Sequence, residues 1–373
     1  MKDRVTFLAL HLGYGGIERT ICTQANMICD VVETEIISLY RTEDVIPYKL
    51  NKNVKVKYLT RIKPNREEFK KAVRSFNIFR IIREGVKALT ILYMKKKMII
   101  DVIKSCDSKI IISTRVEFNE LLNKYHNKDC VTICEEHSYH RNDQKYIDRV
   151  KNSLTNIDYF LLPSNYLYED YKKILDGMSV KVKYIPLTFE KIYVQNNLKV
   201  KNIISVGRLS PEKGFSDLID IMKLVVKKDK DIKLHICGDG EEKEKLLKKI
   251  DDYKLNSNVK VLGFLNPDKL NEEYKSASLY VMTSFEESFG LVLIEAMSRG
   301  IPCFAFDSAL GACEIINENN GLLVKDRNKE KMAEEIINYM NGPKKYDCYK
   351  GLDKYYEENV AKEWKKFVND IIM

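Results

Sequence analysis

Short runs of β-branched and other apolar residues alternate with longer amphipathic segments along the whole chain. This alternation is typical of parallel sheets that are covered by helices. The predicted strands are residues 5–10, 35–39, 54–59, 109–113, 130–134, 159–162 and 180–185 in the first half of the chain, and 202–206, 233–237, 259–262, 279–282, 302–305 and 322–324 in the second half. We therefore predict an α/β protein of two doubly wound domains, each with its own parallel sheet.

The length of the chain, 373 residues, also fits two domains of similar size, because a single core stops growing at about 250–300 residues. A polar stretch at 190–201, after Pro186, is the predicted linker. We place the first domain at 1–189 and the second at 190–354, and we expect a last helix at about 355–373 to return to the first domain.

Composition narrows the class of protein. Apolar residues make up 45% of the chain, with only 16 Gly and 8 Pro, which excludes a disordered or fibrous protein. The nine cysteines form no CxxC pair and no Cys/His cluster at zinc spacing, and the N-terminus lacks a secretory pattern. No apolar stretch approaches the ~20 residues of a membrane-spanning helix. We predict a cytoplasmic protein without a metal site.

Positive charge is concentrated between residues 61 and 104. This segment contains thirteen basic and four acidic residues, and its net charge of +9 equals that of the whole chain. Apolar residues recur there at steps of three and four, namely Phe69, Val73, Phe76, Phe79, Ile82 and Val86. A basic amphipathic helix of this kind can lie on an anionic bilayer, so one predicted partner is the inner face of a membrane. The alternative is a core-facing helix with a solvated basic exterior. No helix-turn-helix, zinc-finger or RNA-binding signature accompanies the charge, so nucleic acid is not a predicted partner.

The first motif of the second half follows the predicted strand that ends at Val206. The sequence there is GRLSPEKGF, which puts Gly207, Arg208 and Lys213 in and just after a strand-to-helix turn. Glycine lets the backbone approach a ligand, arginine offers a planar fork and lysine a point charge, a combination suited to a diphosphate. The alternative is a pair of ordinary surface cations beside a turn.

The second motif is SFEESFGLVLIEAMSRGIP, which predicts a loop and then a nearly all-apolar helix at about 289–299. Glu295 lies inside the apolar run, where a carboxylate is rare unless something pairs with it. Glu287 precedes it by eight residues, a little over two helical turns, so both carboxylates can border one cleft. Backbone amides at the start of the helix form a predicted anion site: Ser288, Phe289 and Gly290. The alternative makes Glu287 a helix cap and Glu295 part of a structural ion pair.

Taken together, GRLSPEKG and, about seventy residues later, EESFGLVLIEAM resemble the retaining nucleotide-sugar glycosyltransferases of family 4, also called group 1. That family has the GT-B fold of two facing Rossmann-like domains with a cleft between them. Its E-x7-E signature matches Glu287 and Glu295, and GGIER near the N-terminus matches its glycine-rich first loop. The segments GDGEEKEKL and VKVLGFL fit its intervening region. The resemblance covers the second half almost continuously and the first half in patches.

The resemblance implies a role for each matched residue. Arg208 and Lys213, beside Gly207, would neutralise the diphosphate of the donor, Glu295 would accept hydrogen bonds from the ribose hydroxyls, and Glu287 would face the donor sugar. The amides of Ser288, Phe289 and Gly290 would contact the phosphates or sugar hydroxyls, while Phe264 and Leu265 would lie near the nucleobase. The family needs no Asp-x-Asp metal site and no cofactor besides its nucleotide-sugar co-substrate, for which we expect UDP rather than GDP.

The glycine-rich segment HLGYGGIER follows the first predicted strand. A dinucleotide fingerprint, GxGxxG, would require glycine at position 18, where Glu18 stands, and this argues against a dehydrogenase. By resemblance to the family, Gly15 and Gly16 would let the first domain's backbone approach the donor phosphates and the acceptor. The alternative is a tight turn after a strand.

CVTICEEHSYHRND places His137 just beyond a predicted strand and His140 three residues later. Family members commonly carry a histidine at this point, near the donor sugar and the acceptor. We assign that role to His137 as a predicted catalytic residue, with His140 as the alternative, or with both on the surface.

The predicted function is the transfer of a sugar from a nucleotide diphosphate sugar to a hydroxyl of a glycan or lipid-linked acceptor in cell-envelope polysaccharide synthesis. A nucleotide-sugar epimerase of the same fold is one alternative, and it would act without an acceptor. A non-catalytic partner subunit is another alternative. Such a subunit should have lost at least one anchor residue, whereas this chain has all four: Arg208, Lys213, Glu287 and Glu295.

Overall fold

In a computed structural model the chain, described over residues 2–62, 65–189, 200–342 and 344–373, divides into two units. Unit 1 comprises Met1–Pro163, Tyr168–Ile185 and Val360–Met373, and unit 2 comprises Ser164–Leu167 and Pro186–Asn359. The division falls four residues before the expected 189/190 boundary, because Phe189 is buried in the core of unit 2 and bridges to Tyr356. Most of the predicted linker, residues 190–199, lies outside the described residues.

Unit 1 contains a seven-stranded parallel sheet. Its strands are β1 Lys2–Ala9, β2 Glu33–Tyr40, β3 Val54–Thr60, β4 Ser108–Ser113, β5 Val131–Glu135, β6 Tyr159–Leu162 and β7 Lys181–Tyr184, in the order β3-β2-β1-β4-β5-β6-β7. Its first six helices are α1 Gly16–Ile28, α2 Arg66–Arg74, α3 Ile78–Ser105, α4 Val116–Tyr125, α5 Gln144–Ser153 and α6 Asn165–Ile174, the last of which begins with residues assigned to unit 2.

Unit 2 contains a six-stranded parallel sheet. Its strands are β8 Asn202–Val206, β9 Lys233–Cys237, β10 Val259–Gly263, β11 Leu279–Met282, β12 Cys303–Phe306 and β13 Gly321–Val324, in the order β10-β9-β8-β11-β12-β13. Its helices are α7 Phe215–Lys228, α8 Lys243–Asp252, α9 Pro267–Lys275, α10 Leu291–Met297, α11 Leu310–Ile315 and α12 Lys329–Asn341. Helix α13, Glu357–Ile372, then returns the chain to unit 1, where Trp364 is buried in the core.

All thirteen predicted strands are confirmed, with small differences at their ends. The largest is at β1, which begins at Lys2 instead of residue 5. The polar start of this strand pairs with β4, and Arg4 forms an ion pair with Glu35 on β2 at 3.2 Å. Charged residues can therefore extend a strand at its N-terminal end, where the apolar pattern does not predict it.

The predicted amphipathic helix in 61–104 is two helices, α2 and α3. The helical conformation is interrupted between them at Phe76, which has a left-handed backbone with φ of +50°. Asn77 then starts α3, because its side chain accepts a hydrogen bond from the amide of Arg80. Among the described residues, no helix is both long and apolar enough to span a bilayer.

In each sheet the strand order reverses beside the first strand, between β1 and β4 in unit 1 and between β8 and β11 in unit 2. Open parallel sheets bind their ligands at this switch point, just outside the carboxyl ends of the strands. In unit 2 the segment after β8 carries Gly207 to Lys213, and the segment after β11 carries Glu287 to Gly290. The two predicted motifs therefore flank the position where this fold class binds ligands.

Candidate active site

The first motif starts from a fixed point at the end of β8. The hydroxyl of Tyr280, on β11, accepts a hydrogen bond from the amide of Val206 at 3.3 Å and donates one to its carbonyl at 3.1 Å. Tyr280 is fully buried, so this contact holds the last residue before Gly207 against the neighbouring strand.

Gly207 and Arg208 lead into a short 3₁₀ turn, Pro211–Lys213, as the strand-to-helix prediction requires. The turn ends at Gly214, whose φ of +64° lies in the left-handed region. A β-carbon at this position would lie 2.1 Å from the carbonyl oxygen of Thr283, so only glycine fits. Thr283 in turn donates its hydroxyl to the carbonyl of Gly214 at 2.9 Å. These contacts join the segment after β8 to the segment after β11.

The structure brings Lys213 and Glu287 into direct contact, although they are 74 residues apart in the sequence. The ammonium of Lys213 lies 2.6 Å from Oε2 of Glu287, and the two side chains are 25% and 14% exposed. Arg208 is exposed and forms no ion pair with any other residue that the structure describes. The segment after β8 thus carries one cation that is paired, Lys213, and one that is not paired within the described residues, Arg208. The paired cation contacts Glu287, the carboxylate of the second motif.

The predicted start of the apolar helix is wrong by two residues. Helix α10 begins at Leu291. Gly290 before it has a left-handed φ of +99°, which is not helical, so the helix does not extend back into the loop. Phe289 lies in that loop with its ring buried edge-on against Tyr355, at a centroid distance of 5.3 Å. The amides of Ser288 and Phe289 therefore belong to the loop and not to the first turn of a helix.

Glu295 lies on α10 and is half-buried. Its Oε2 accepts a hydrogen bond from the hydroxyl of Tyr274 at 3.2 Å. Burial raises the pKa of Tyr280, and the charges of Glu287 and Glu295 raise this pKa further. Both predicted carboxylates thus act on the same buried tyrosine, and their bordering one site stays a prediction.

Phe264 and Leu265 follow β10, which is separated from β8 by one strand. Phe264 is 56% exposed, whereas Leu265 packs against the core of unit 2. The exposed ring is at the carboxyl edge of the sheet, the edge that also carries both motifs.

Arg327 is a residue of this site that sequence reasoning missed. Its guanidinium donates to the carbonyl of Ser284 at 2.9 Å, to the carbonyl of Thr283 at 2.9 Å and to Asp217 at 2.7 Å, and it stacks on Phe285 at 3.7 Å. Partial burial opposes ionisation of Asp217, but the ion pairs with Lys329 and Arg327 outweigh it and lower the pKa of this carboxyl. One planar cation thus fixes the segment that leads from β11 to Glu287. Its position in the second 3₁₀ turn, Lys325–Arg327, gives no sequence signal for this role.

Gly311 is a second missed residue. Its amide donates to the carbonyl of Glu287 at 2.9 Å. A β-carbon here would lie 2.5 Å from the carbonyl oxygen of Phe289 and 2.7 Å from that of Glu287. Helix α11 therefore supports the loop that carries Glu287 through a contact that has no room for a side chain.

In unit 1, Gly15 immediately precedes α1 and Gly16 is the first residue of that helix. The hydroxyl of Tyr48 bonds both the amide and the carbonyl of Gly15, at 2.8 and 2.9 Å, and a β-carbon on Gly15 would overlap the carboxylate of Glu18. A β-carbon on Gly16 would meet nothing within 4 Å. A side chain at Gly15 would have to displace the carboxylate of Glu18, whereas the open space at Gly16 is compatible with the predicted approach of a ligand.

Glu18, which interrupts the dinucleotide fingerprint, is buried. Its Oε1 lies 3.0 Å from the guanidinium of Arg115, just after β4, and 3.5 Å from Nε2 of His11. The residue that replaces the third glycine therefore pairs with a cation across the switch point of unit 1.

The two candidate histidines have different surroundings. Nδ1 of His140 accepts from the amide of Asn142 at 3.0 Å, so its Nε2 carries the proton that is donated to Asp170 at 2.6 Å. Its ring also packs on Tyr139 and Tyr171. Nε2 of His137 lies 2.9 Å from Oε2 of Glu135, the last residue of β5. Both ring nitrogens of His140 are thus engaged within unit 1, and the catalytic role of His137 stays a prediction.

Glu136 fixes the loop that carries His137. Its Oε1 accepts from the amides of His137 and Ser138 at 2.9 and 2.8 Å, and its Oε2 accepts from the hydroxyl of Tyr146 at 2.6 Å. Burial raises the pKa of Glu136 above its ordinary value, although these hydrogen bonds act in the opposite direction.

Comparison with known proteins finds a family match over the part of the chain that carries this site. The family described as glycosyl transferases group 1 matches residues 189–352. The poly(ribitol-phosphate) α-N-acetylglucosaminyltransferase of Staphylococcus aureus is 30% identical over 279 residues, which is 65% of this chain and 56% of that protein. Residues 189–352 are thus similar to the group 1 glycosyl transferases.

The poly(glycerol-phosphate) α-glucosyltransferase of Bacillus subtilis is 29% identical to this chain over 252 residues, 63% of the chain and 37% of that protein. The chain thus spans about half the length of these curated relatives. Staphylococcus aureus TarM, in a crystal structure with fondaparinux, α-GlcNAc-glycerol and UDP, has a TM-score of 0.78 at 17% identity and covers 99% of this chain and 100% of its own. This likeness confirms the predicted GT-B fold.

Proposed function

We propose that this protein is a group 1 glycosyl transferase that moves a sugar from a UDP-sugar to a hydroxyl of a cell-envelope polymer or of its lipid-linked precursor, with retention of configuration. The observation that carries the proposal is the juxtaposition of Arg208, Lys213 and Glu287 at the switch point of unit 2. The finer assignment to family 4 is part of the same proposal.

Arg208 and Lys213 supply two positive charges for the diphosphate of the donor. Cleavage of the bond between sugar and phosphate builds extra negative charge on the leaving diphosphate, and cations already held in place stabilise it without reorganisation. Lys213 is held by Glu287 and by the 3₁₀ turn, so its position is set before a ligand arrives. In this proposal the protein's own cations do the work that a divalent metal does elsewhere, and addition of a chelator should leave the rate unchanged.

Glu287 and Glu295 divide the remaining contacts to the donor. We assign Glu287 to the sugar and Glu295 to the ribose hydroxyls, with backbone amides of Ser288, Phe289 and Gly290 near the phosphates or the sugar. The exposed ring of Phe264 is the proposed neighbour of the nucleobase, beside Leu265. The acceptor hydroxyl then attacks the face that the diphosphate leaves, and the departing phosphate takes its proton. In unit 1, His137 is the proposed catalytic residue, with Gly15 and Gly16 as ligand-facing backbone.

The acceptor class follows from the relatives, two of which are named for polymers of ribitol phosphate and glycerol phosphate. A polyol-phosphate chain offers free hydroxyls on a repeating anionic backbone. We therefore propose an envelope polymer of this type, with a lipid-linked glycan as the other source of the same acceptor hydroxyl.

The test uses purified protein with a panel of UDP- and GDP-sugars, and polyol-phosphate and lipid-linked acceptors. We expect transfer from a UDP-sugar, and we expect Arg208→Ala and Lys213→Ala to lower turnover by about 10²- to 10³-fold, the range for loss of one preorganised charge-stabilising group. Lys245→Ala, at an exposed ion pair on α8, is the matched control and should be neutral. An unchanged rate in both site variants would contradict the proposal, as would a changed nucleotide sugar formed without any acceptor, which is the signature of an epimerase.

Glu287→Gln separates binding from turnover. It removes a negative charge beside the proposed diphosphate and frees Lys213, so UDP should bind about 2- to 5-fold tighter, the effect of losing a partly exposed pair. Transfer should nevertheless become slower, because the contact to the sugar is altered. Weaker UDP binding together with an unchanged turnover would exclude this role for Glu287.

A further inference from the structure

The hairpin formed by α2 and α3 carries apolar side chains that the described residues of the chain leave exposed. Nine large apolar residues at the end of α2, in the turn and along the first half of α3 are between 45% and 89% exposed. We call this set the apolar tip: Val73, Phe76, Ile78, Phe79, Ile82, Val86, Leu89, Leu92 and Tyr93. Soluble monomers rarely expose a contiguous apolar patch of this size without using it.

Part of the apolar tip forms a face of α3 that is separate from its core face. Ile82, Val86, Leu89 and Tyr93 follow one another at steps of four and three, so they form one stripe along the helix. The residues through which α3 is buried, Glu84, Ile91, Ile99 and Ile103, lie on a different side. The packing of unit 1 therefore satisfies one face of α3 and leaves the other unpartnered.

The hairpin is anchored at its base, so the exposure of the tip is not that of a frayed end. The side chain of Asn65 donates to both the carbonyl and the carboxylate of Glu84, at 3.0 Å each, and all of these groups are buried. Phe69 on α2 packs beside Gly85 on α3. At the turn, Phe76 has a φ of +50°, a conformation that is a rare outlier for an aromatic residue, and its ring is 89% exposed.

The charges around the apolar tip are positive and available. Lys71, Arg74 and Arg80 are exposed and form no ion pair with any residue in the described part of the chain. Anionic headgroups complement such a surface, with apolar side chains in the headgroup boundary and cations on lipid phosphates. A second copy of this chain fits less well, because a two-fold contact through the tip would bring the same cations against one another.

We propose that the apolar tip docks this protein on an anionic bilayer, with Phe76, Phe79 and Ile82 entering the headgroup boundary. Arg74 and Arg80 lie at the level of the phosphates. This docking goes beyond the proposed sugar transfer and does not depend on it, because it requires only the hairpin.

The first measurement uses the full chain with Phe79→Trp as a reporter. The only native tryptophan, Trp364, is buried and gives a constant background. Vesicles of phosphatidylglycerol and phosphatidylcholine should shift the emission of the introduced indole to shorter wavelength, and vesicles of phosphatidylcholine alone should not. An emission maximum that stays unchanged with both compositions would overturn the proposal.

The second measurement is co-sedimentation with the same anionic vesicles. We expect Phe79→Asp combined with Ile82→Asp to lower the partition coefficient by at least about 100-fold, since each buried side chain of this size contributes about 1.5–3 kcal/mol. Arg74→Gln and Arg80→Gln should each lower it about 5-fold, from about 1 kcal/mol per cation near the surface, and should fold normally because both positions are exposed. Val45→Asp, at an equally exposed apolar residue elsewhere in unit 1, is the control and should bind as the parent does.

Two results would overturn the docking proposal. One is equal sedimentation of the parent and all tip variants. The other is a concentration-dependent dimer, seen by light scattering without lipid, that Phe79→Asp with Ile82→Asp converts to a monomer, because the tip would then bind a second copy of the chain.

Discussion

Replacement of Gly311 by alanine tests whether the loop that carries Glu287 must be held where the structure has it. The added methyl group would touch no proposed ligand-binding side chain. It would lie 2.5 Å from the carbonyl oxygen of Phe289, whereas a carbon and a carbonyl oxygen normally approach to about 3.3 Å. Either the loop or α11 must therefore move by about 0.8 Å, and the hydrogen bond from the Gly311 amide to Glu287 must lengthen.

We expect two measurable effects from this displacement. Overpacking of a fitted contact costs about 1–3 kcal/mol, which in a unit of this size lowers the unfolding temperature by about 2–4 °C per kcal/mol. A misplacement of about 1 Å at a reacting centre can lower turnover about 10²-fold. Thermal unfolding and sugar transfer are measured on the same preparation.

Gly342→Ala is the matched control in the same unit, since the nearest atom to its new β-carbon is 4.0 Å away. It should change neither quantity. A Gly311→Ala protein that is destabilised but turns over at the parental rate would refute the reasoning, because the loop would then not need its observed position. Unchanged stability together with an unchanged rate would refute the contact itself.

Three further outcomes follow from the contacts around the two sites. Arg327→Ala removes one of the two cations that pair with Asp217, leaves Lys329 as the other, and frees the loop after β11. We therefore expect a loss of about 1–3 kcal/mol by denaturant unfolding together with slower transfer. Arg327→Lys should restore little, because it lacks the planar fork. Tyr280→Phe leaves the amide and carbonyl of Val206 without their buried partner and should cost about 1–3 kcal/mol, with weaker UDP binding as its second readout; parental UDP affinity would separate this tyrosine from the site. Burial raises the pKa of Glu136, which means that the folded state favours the protonated carboxyl group. The contribution of this group to the free energy of unfolding is therefore complete below about pH 4.3, the ordinary pKa of glutamate. It is lost as the pH rises through the raised pKa. The free energy of unfolding of the parent relative to Glu136→Gln should therefore fall over that range, and a constant difference would contradict this sign.

The strands and the two sheets follow from local sequence, because a strand buried on both faces requires an unbroken apolar run wherever it occurs. The same logic locates the two motifs, since each begins where such a run ends. Element ends are less visible. The start of α10 depends on the left-handed backbone of Gly290, and the break before α3 depends on that of Phe76, a residue whose type disfavours this conformation.

The residues that sequence reasoning missed act through tertiary contacts. Arg327 and Gly311 lie on segments remote in sequence from the loop that they support, and neither belongs to a motif. Tyr280 reads as an ordinary strand residue until its hydroxyl is seen on the backbone of Val206. The sequence assigns the catalytic role to His137 with His140 as the alternative, and only the structure shows that both ring nitrogens of His140 are engaged within unit 1.

The most direct test of the central claim is a crystal structure of the protein with bound UDP. We expect both phosphates at the switch point of unit 2, with the guanidinium of Arg208 and the ammonium of Lys213 within hydrogen-bond distance of phosphate oxygens and the uracil on the side of Phe264. A nucleotide bound away from this turn, or phosphates contacted by neither cation, would contradict the account.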